Sequence, residues 1–274
     1  MELAITVAPA RALFRALPRP LGFVPTMGAL HLGHLDLVRR AHSRCASVGA
    51  SIFVNPLQFG ANEDLAAYPR DLERDRAKLA AAGVNVLFTP ETATMYPPDF
   101  ATAVDVGALG TVFEGAIRPL HFRGVTTVIA KLLNIVQPEI LFLGQKDAQQ
   151  AVVLRKMLGD LDFPVELELV PTVREPDGLA MSSRNGYLDS NQRTAAPTLY
   201  RALLATREAL EDGSSKSEAV SAGRAALDSS AKLDYLDVVD ANSFATLDRL
   251  RPPAIIVAAA RFGGTRLIDN LWVT

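Results

Sequence analysis

Residues 25–34 read Pro-Thr-Met-Gly-Ala-Leu-His-Leu-Gly-His and follow directly on the apolar run Leu21-Gly22-Phe23-Val24. The apolar run has the character of a buried strand. Gly28 and Gly33 permit tight turning and close backbone approach. From Gly33 onward, Leu35, Leu37, Val38, Ala41 and Cys45 recur as one helical face, which predicts a first helix carrying Cys45 on its apolar side. The ten residues thus sit where a strand gives way to a helix, a place where backbone N–H groups attract phosphate. Two of the chain's four histidines, His31 and His34, fall in that turn. A lone His at a helix start is most often a cap or a solvated side chain. Two of them in a Gly-bracketed turn after a strand favour nucleotide binding.

Strand-like and helix-like stretches alternate through the first two-thirds of the chain. Ala50–Asn55 reads as a strand, 71–82 as a helix closed by Gly83, and Val84–Thr89 as a strand. Phe122–Val136 reads as a helix ending before Pro138, Ile140–Leu143 as a strand, Ala148–Leu158 as a helix and Val165–Val170 as a strand. Short apolar strands separated by helices predict a Rossmann-like α/β parallel sheet, whose ligands bind at the carboxyl ends of the strands. After about residue 190 the composition changes. Ala195–Ala209 and Glu218–Ser229 read as alanine-rich helices, with Ser215 and Glu218 spaced as a capping box. Tyr235–Val239, Ala254–Ala259 and Arg266–Trp272 read as strands of a second sheet. The expected division is a first domain of 1–175 and a smaller α+β C-terminal domain of 176–274.

The formal net charge of −2 provides no general basic field for nucleic acid, so a phosphate ligand must be gripped locally. The single cysteine excludes an internal disulfide and fits a reducing cytosol. Glu2, Arg11 and Arg15 interrupt the N-terminal stretch, against a secretory signal. No run approaches the ~18 apolar residues of a membrane span. The expectation is a cytoplasmic protein with no membrane or nucleic-acid partner.

Three further polar motifs each follow a strand. Asn55-Pro56-Leu57-Gln58-Phe59-Gly60 offers two neutral amides for hydroxyls or a carboxylate, and taken alone is equally a Pro-Gly turn facing water. Gly144-Gln145-Lys146-Asp147 opens a helix bearing Gln149 and Gln150. Lys146 can neutralise phosphate and Asp147 can accept ribose hydroxyls, although a solvated helix cap would look the same. In Asp177–Asn185, two hydroxyls and the guanidinium of Arg184 follow a Gly hinge and suit β- and γ-phosphates.

His-x-Gly-His resembles the signature of nucleotidyltransferases and class I aminoacyl-tRNA synthetases, and Met181–Asn185 looks like the Lys-Met-Ser-Lys-Ser loop of that superfamily. Taken together, Pro25–His34, Asn55–Gly60, Tyr68-Pro69-Arg70, Arg118–Gly124, Gly144–Gln150 and Asp177–Leu188 closely resemble the pantothenate synthetase (pantoate–β-alanine ligase) family, and Arg266–Asn270 fits the same likeness. The resemblance implies ATP-dependent joining of (R)-pantoate to β-alanine through a pantoyl-adenylate, releasing AMP and pyrophosphate. It also implies Mg²⁺ accompanying ATP, no protein-held metal and a homodimer.

Carried over by motif, Met27, Gly28, Ala29, Leu30, His31, Leu32, Gly33 and His34 would line the ATP site. Gly144, Gln145, Lys146, Asp147, Val173, Met181, Ser182, Ser183 and Arg184 would join them. His34, His31 and Lys146 would be the catalytic groups, with His34 the candidate acid. Asn55, Gln58 and Gln150 would hold substrate, and Arg118 and His121 would lie in a loop that helps close the site. Gly60–Pro69 is a candidate lid, and the C-terminal domain would close over ATP. Three departures stand out: Leu32 replaces an acidic residue, Leu120 stands where Gly is frequent, and Gln145 replaces a common Glu. Another nucleotidyltransferase would keep the histidine turn without needing Gln58 and Gln150, and a tRNA-binding fragment would need a basic face that the composition lacks.

Overall fold

The computed structural model describes residues 1–60, 63 and 65–274, which form two compact units. The first holds 1–144 and 153–170, the second 145–152 and 171–274. The segment 145–152 therefore groups with the C-terminal part of the chain, whereas the sequence division at 175 places it with the N-terminal part.

In the first unit the chain runs β1 (Glu2–Ala4), α1 (Val7–Arg15), β2 (Leu21–Thr26), α2 (Leu32–His42), β3 (Ser47–Ile52), α3 (Leu72–Ala81) and β4 (Val86–Phe88). It continues through the short helices α4 (Thr92–Met95) and α5 (Glu114–Ile117) to α6 (His121–Val136), β5 (Ile140–Gly144), α7 (Ala148–Asp160), whose first five residues group with the second unit, and β6 (Glu166–Val170). All six strands are parallel, in the order β1-β4-β3-β2-β5-β6. The expected Rossmann-like sheet is therefore what the residues build. Strands β2 and β3 are almost wholly buried, as strands covered on both faces must be.

The chain winds outward from β2 through β3 to β4, then returns beside β2 as β5, so the topology reverses between β2 and β5. Those two strands pair only at Gly22–Ile140 and Phe23–Leu141, although they run on to Thr26 and Gly144. Their carboxyl ends part, and the opening lies at the position where α/β sheets bind ligands.

Several boundaries differ from the sequence reading. The second of the expected strands lies earlier, at Ser47–Ile52. Helix α2 ends at His42, so Cys45 follows the helix rather than lying on its face, half-buried against the Val24–Val38–Phe142 cluster. The pattern Val7, Ala10, Phe14 marks α1, which sequence reading passed over, and Ala10 and Phe14 are buried in the main core.

The second unit contains α8 (Ser190–Ala195), α9 (Thr198–Glu211), α10 (Lys216–Ala225), and an antiparallel sheet of β7 (Ala231–Asp240), β8 (Ala254–Phe262) and β9 (Thr265–Val273). The order is β7-β8-β9, so β8 is central and nearly all buried. Helix α9 packs on β8 and β9, and α10 on β7. The capping box read at Ser215 and Glu218 forms, and a second one at Asp189 and Gln192 starts α8.

Candidate active site

The turn after β2 is held from three sides. Thr26 donates its hydroxyl to the carbonyl of Ser51 at 2.8 Å and accepts the N–H of Gly28 at 3.2 Å. Gly28 (φ 84°) and Ala29 (φ 51°) both occupy the left-handed region, and a non-glycine there costs about 1–2 kcal/mol. The offset comes from Asp75 of α3. Its two carboxylate oxygens accept the N–H groups of Ala29 and Leu30 at 2.7 and 2.9 Å, in a site where Asp75 is only 2% exposed. Lys78, further along the same helix, donates its ammonium to the carbonyl of Leu30 at 2.5 Å.

The histidines close the turn onto α2. His31 is the N-cap of that helix, and its Nδ1 accepts the N–H of Gly33 at 3.2 Å. The Nδ1 of His34 accepts the N–H of His31 at 3.3 Å, completing a reciprocal capping box. The ring centroids are 4.1 Å apart. Since both Nδ1 atoms accept backbone protons, each neutral ring carries its own proton on Nε2 and can donate through that atom. Leu32, between them, is 62% exposed.

After β3, Asn55 caps a 3₁₀ turn of Pro56–Gln58. Its Oδ1 accepts from the N–H of Leu57 and the hydroxyl of Tyr96, and its Nδ2 donates to Gln58 Oε1 and to the carbonyl of Gly124, both at 3.0 Å. That satisfies the whole amide of a residue that is 1% exposed. The sequence reading gave Asn55 to substrate; its amide here bonds Gln58, Gly124, Leu57 and Tyr96. Gln58 in turn donates Nε2 to Met27 Sδ at 3.0 Å. Thioether sulfur is a weak acceptor and an amide nitrogen has two protons, so Gln58 keeps donor capacity beside the histidine turn. The approach of α6 to this turn requires Gly124, because a Cβ there would stand 2.2 Å from the carbonyl oxygen of Leu57.

Arg118 and His121 are not in one loop. Arg118 ends α5, and His121 is the first residue of α6 and is buried. Between them Leu120 adopts φ 68°, which explains why glycine suits this position. His121 Nδ1 lies 2.9 Å from the carbonyl of Gln58, and its Nε2 lies 3.2 Å from Arg118. Burial first, and then the charge of Arg118, pull the imidazole down to a pKa of about 4. His121 is therefore neutral, donating from Nδ1 and accepting at Nε2, and both nitrogens are committed to holding Gln58 and Arg118. Arg118 also pairs with Glu63 at 2.9 Å, which holds the Glu63 carboxyl below the usual range despite its burial. Glu63 belongs to the segment read as a lid, of which Ala61, Asn62 and Asp64 lie outside the described residues.

In the second unit, Lys146 and Asp147 precede α7, with Nζ 3.6 Å from Oδ1, and Gln150 occupies the first turn of that helix. Met181 donates its N–H to the carbonyl of Val173 at 3.0 Å, fixing the start of the serine segment. Ser182 caps the 3₁₀ turn Ser183–Tyr187, its Oγ accepting the N–H of Arg184 at 3.3 Å.

Sequence reading missed Asp75, Lys78 and Tyr96. The available signal at Asp75 was its spacing: it falls one helical turn before the buried Leu79, on the inward face of α3, where a carboxylate requires a partner. Among the described residues no group of three or more His, Cys, Asp or Glu side chains is arranged to hold a metal ion, and no helix is long and apolar enough to cross a membrane.

A family model described as pantoate-beta-alanine ligase matches residues 3–272. The pantothenate synthetase of Chloroflexus aggregans is 52% identical over 274 residues, covering 98% of this chain and 99% of the relative. The crystal structure of pantothenate synthetase from Thermus thermophilus superposes with a TM-score of 0.95 at 53% identity, covering 99% of each chain. That of the pantoate-beta-alanine ligase from Francisella tularensis, complexed with Beta-gamma ATP and β-alanine, gives 0.83 at 34% identity over 99% of this chain and 97% of that one. With the family model matching residues 3–272 and relatives 52% and 53% identical over nearly the whole chain, the chain belongs to the pantoate-beta-alanine ligase family.

Proposed function

We propose that the protein condenses (R)-pantoate with β-alanine using ATP, forming pantothenate through a pantoyl-adenylate and releasing AMP and pyrophosphate. The observation that carries this reading is the pair His31 and His34. Both Nδ1 atoms are fixed by backbone N–H groups at the sheet's switch point, so both rings hold an Nε2–H in a preset direction. Family membership supports the same reading, and the relative from Francisella tularensis is described with a nucleotide and β-alanine.

A carboxylate is a poor acylating group because its leaving group is oxide. In the first step a pantoate carboxylate oxygen attacks the α-phosphorus in line, the bond to the β-phosphate oxygen breaks, and pyrophosphate leaves. Charge grows on the phosphoryl oxygens, so positioned donors carry most of the catalysis. His31 and His34 supply Nε2–H donors, Lys146 and Arg184 supply positive charge, and Ser182 and Ser183 supply hydroxyls. The backbone of Met27, Gly28, Ala29 and Leu30 lines the nucleotide, as do Leu32, Gly33, Gly144, Gln145 and Val173, with Met181 beside the phosphates and Asp147 on the ribose. Gln58 and Gln150 hold pantoate, with Asn55 and His121 fixing Gln58 from behind. In the second step the β-alanine nitrogen, as the free amine, attacks the acyl carbon, the bond to the adenylate oxygen breaks and AMP leaves, and the nitrogen loses a proton to solvent as the amide forms.

Mg²⁺ accompanying ATP would supply charge neutralisation at the phosphates. The reading extends to a cytoplasmic homodimer, and sedimentation would test the dimer. The deciding experiment is pyrophosphate exchange into ATP with pantoate alone, alongside AMP formation with and without β-alanine. Exchange with pantoate and AMP turnover only with β-alanine is the expected result. Exchange supported by a different acid or a phosphate ester, and not by pantoate, would overturn the assignment.

A further inference from the structure

We propose that Asn270 is a positioning residue for the Lys146 turn, and that the Arg174–Asp269 pair sets this turn in register with the Met181–Arg184 segment. The proposal rests on the reading that both segments take ATP.

Asn270 lies on β9 and is 4% exposed. Its Nδ2 donates to two successive carbonyls, those of Gln145 at 3.0 Å and Lys146 at 2.6 Å. Trp272, the next residue on the same face, directs its indole N–H at the Gln145 carbonyl at 3.4 Å. Fixing the carbonyls on both sides of the Lys146 Cα fixes the two peptide planes that meet there, and with them the direction in which its side chain leaves the backbone. The amide can serve in one orientation only, because turned over it would set Oδ1 against two carbonyl oxygens.

Asn270 is itself held. Arg174 donates to the Asn270 carbonyl at 3.2 Å and grips Asp269 with both terminal nitrogens, at 2.6 and 2.9 Å, while Asp269 accepts the Asn270 N–H at 2.8 Å. The guanidinium lies 3.7 Å from the centroid of the Tyr200 ring, a planar seat that an ammonium would not share. Arg174 also donates to the Gly178 carbonyl at 3.0 Å and bridges Ala180 through the backbone, one residue before Met181. One planar cation thus ties the start of the serine segment to the residue that holds the Lys146 turn. The Arg266–Asn270 stretch, familiar in sequence but without a role there, acquires one.

The test compares Asn270→Ala, Asn270→Asp and Asn270→Ser with Lys146→Ala in steady-state kinetics, with melting curves on each. Asn270→Asp keeps shape but turns a carboxylate on two carbonyls. It is expected to raise the KM for ATP about tenfold, the loss of roughly one buried hydrogen-bond contribution, with the KM for pantoate within about twofold. Asn270→Ser, which keeps one donor, should fall between it and the parent, and it carries the test if the alanine variant does not fold. Equal rises for all substrates, or a KM for ATP unchanged in folded variants while Lys146→Ala raises it, would overturn the proposal. If Lys146→Ala also leaves ATP use unchanged, it is the assignment of the turn to ATP that fails.

Discussion

Asp75 accepts the backbone N–H groups of Ala29 and Leu30 with its two separate oxygens, so one buried carboxylate from α3 sets the shape of the turn that precedes the two histidines. The arrangement puts a negative charge behind a turn proposed to meet a more negative ligand. That charge is taken up by N–H groups of the turn itself, and it allows Ala29 to hold a left-handed backbone.

Asp75→Asn replaces one acceptor by a donor that faces an N–H. The expected stability loss is about 1–3 kcal/mol, with kcat/KM down roughly tenfold or more, because the turn no longer holds a single conformation. Urea unfolding and steady-state assays on the same preparation check this. A stability loss with unchanged kinetics would restrict Asp75 to holding the fold.

His31→Ala and His34→Ala should each slow adenylation by roughly 10²–10³-fold, the range for losing one transition-state donor. Each also removes a cap acceptor, so a loss of about 1 kcal/mol should accompany it. His34→Asn separates the two effects, since its amide oxygen can still accept the N–H of His31 but nothing stands in for Nε2. Its stability should return towards the parent while adenylation stays slow. Recovery of both together would make the histidine a cap alone.

The parallel sheet was legible because apolar runs such as Leu21–Val24 and Ile140–Leu143 alternate with helical patterns, and because each polar motif begins where such a run stops. Missed contacts have a common cause: they join residues far apart in the chain. Whether the Asn55 amide is open to substrate depends on Tyr96 and Gly124, 41 and 69 residues away, and nothing local to Asn55 reports them. His121 was a site candidate through the family resemblance alone, and only the approach of Gln58 and Arg118 shows that both its ring nitrogens are engaged. Asp75 was different in kind, since a carboxylate on the inward face of α3 was readable and went unread.

Lys146→Ala should raise the KM for ATP more than that for pantoate, and Gln150→Ala the reverse. An ammonium suits phosphate, whereas a neutral amide suits a hydroxyl and carboxylate without excess charge. Both variants raising the KM for one and the same substrate would show that the pocket is partitioned otherwise.

His121 predicts an acid sensitivity with a defined window. Its pKa falls from 6.5 to about 4 in the folded protein, through burial and then the Arg118 charge, with Glu63 and Glu114 opposing. The unfolded chain therefore binds this proton more readily than the folded one. The neutral ring's contribution to stability is complete above pH 6.5 and is lost progressively as pH falls towards 4. Between pH 7 and pH 5 the expected loss is about 2 kcal/mol. Glu63, whose pKa is lowered, adds its own loss only at more acid pH, below the usual carboxylate value. His121→Asn keeps a donor for the Gln58 carbonyl and cannot titrate, so its urea midpoint should change less than the parent's between those two pH values. Equal changes in both proteins would show that the acid sensitivity belongs to other groups and that His121 titrates near its ordinary value.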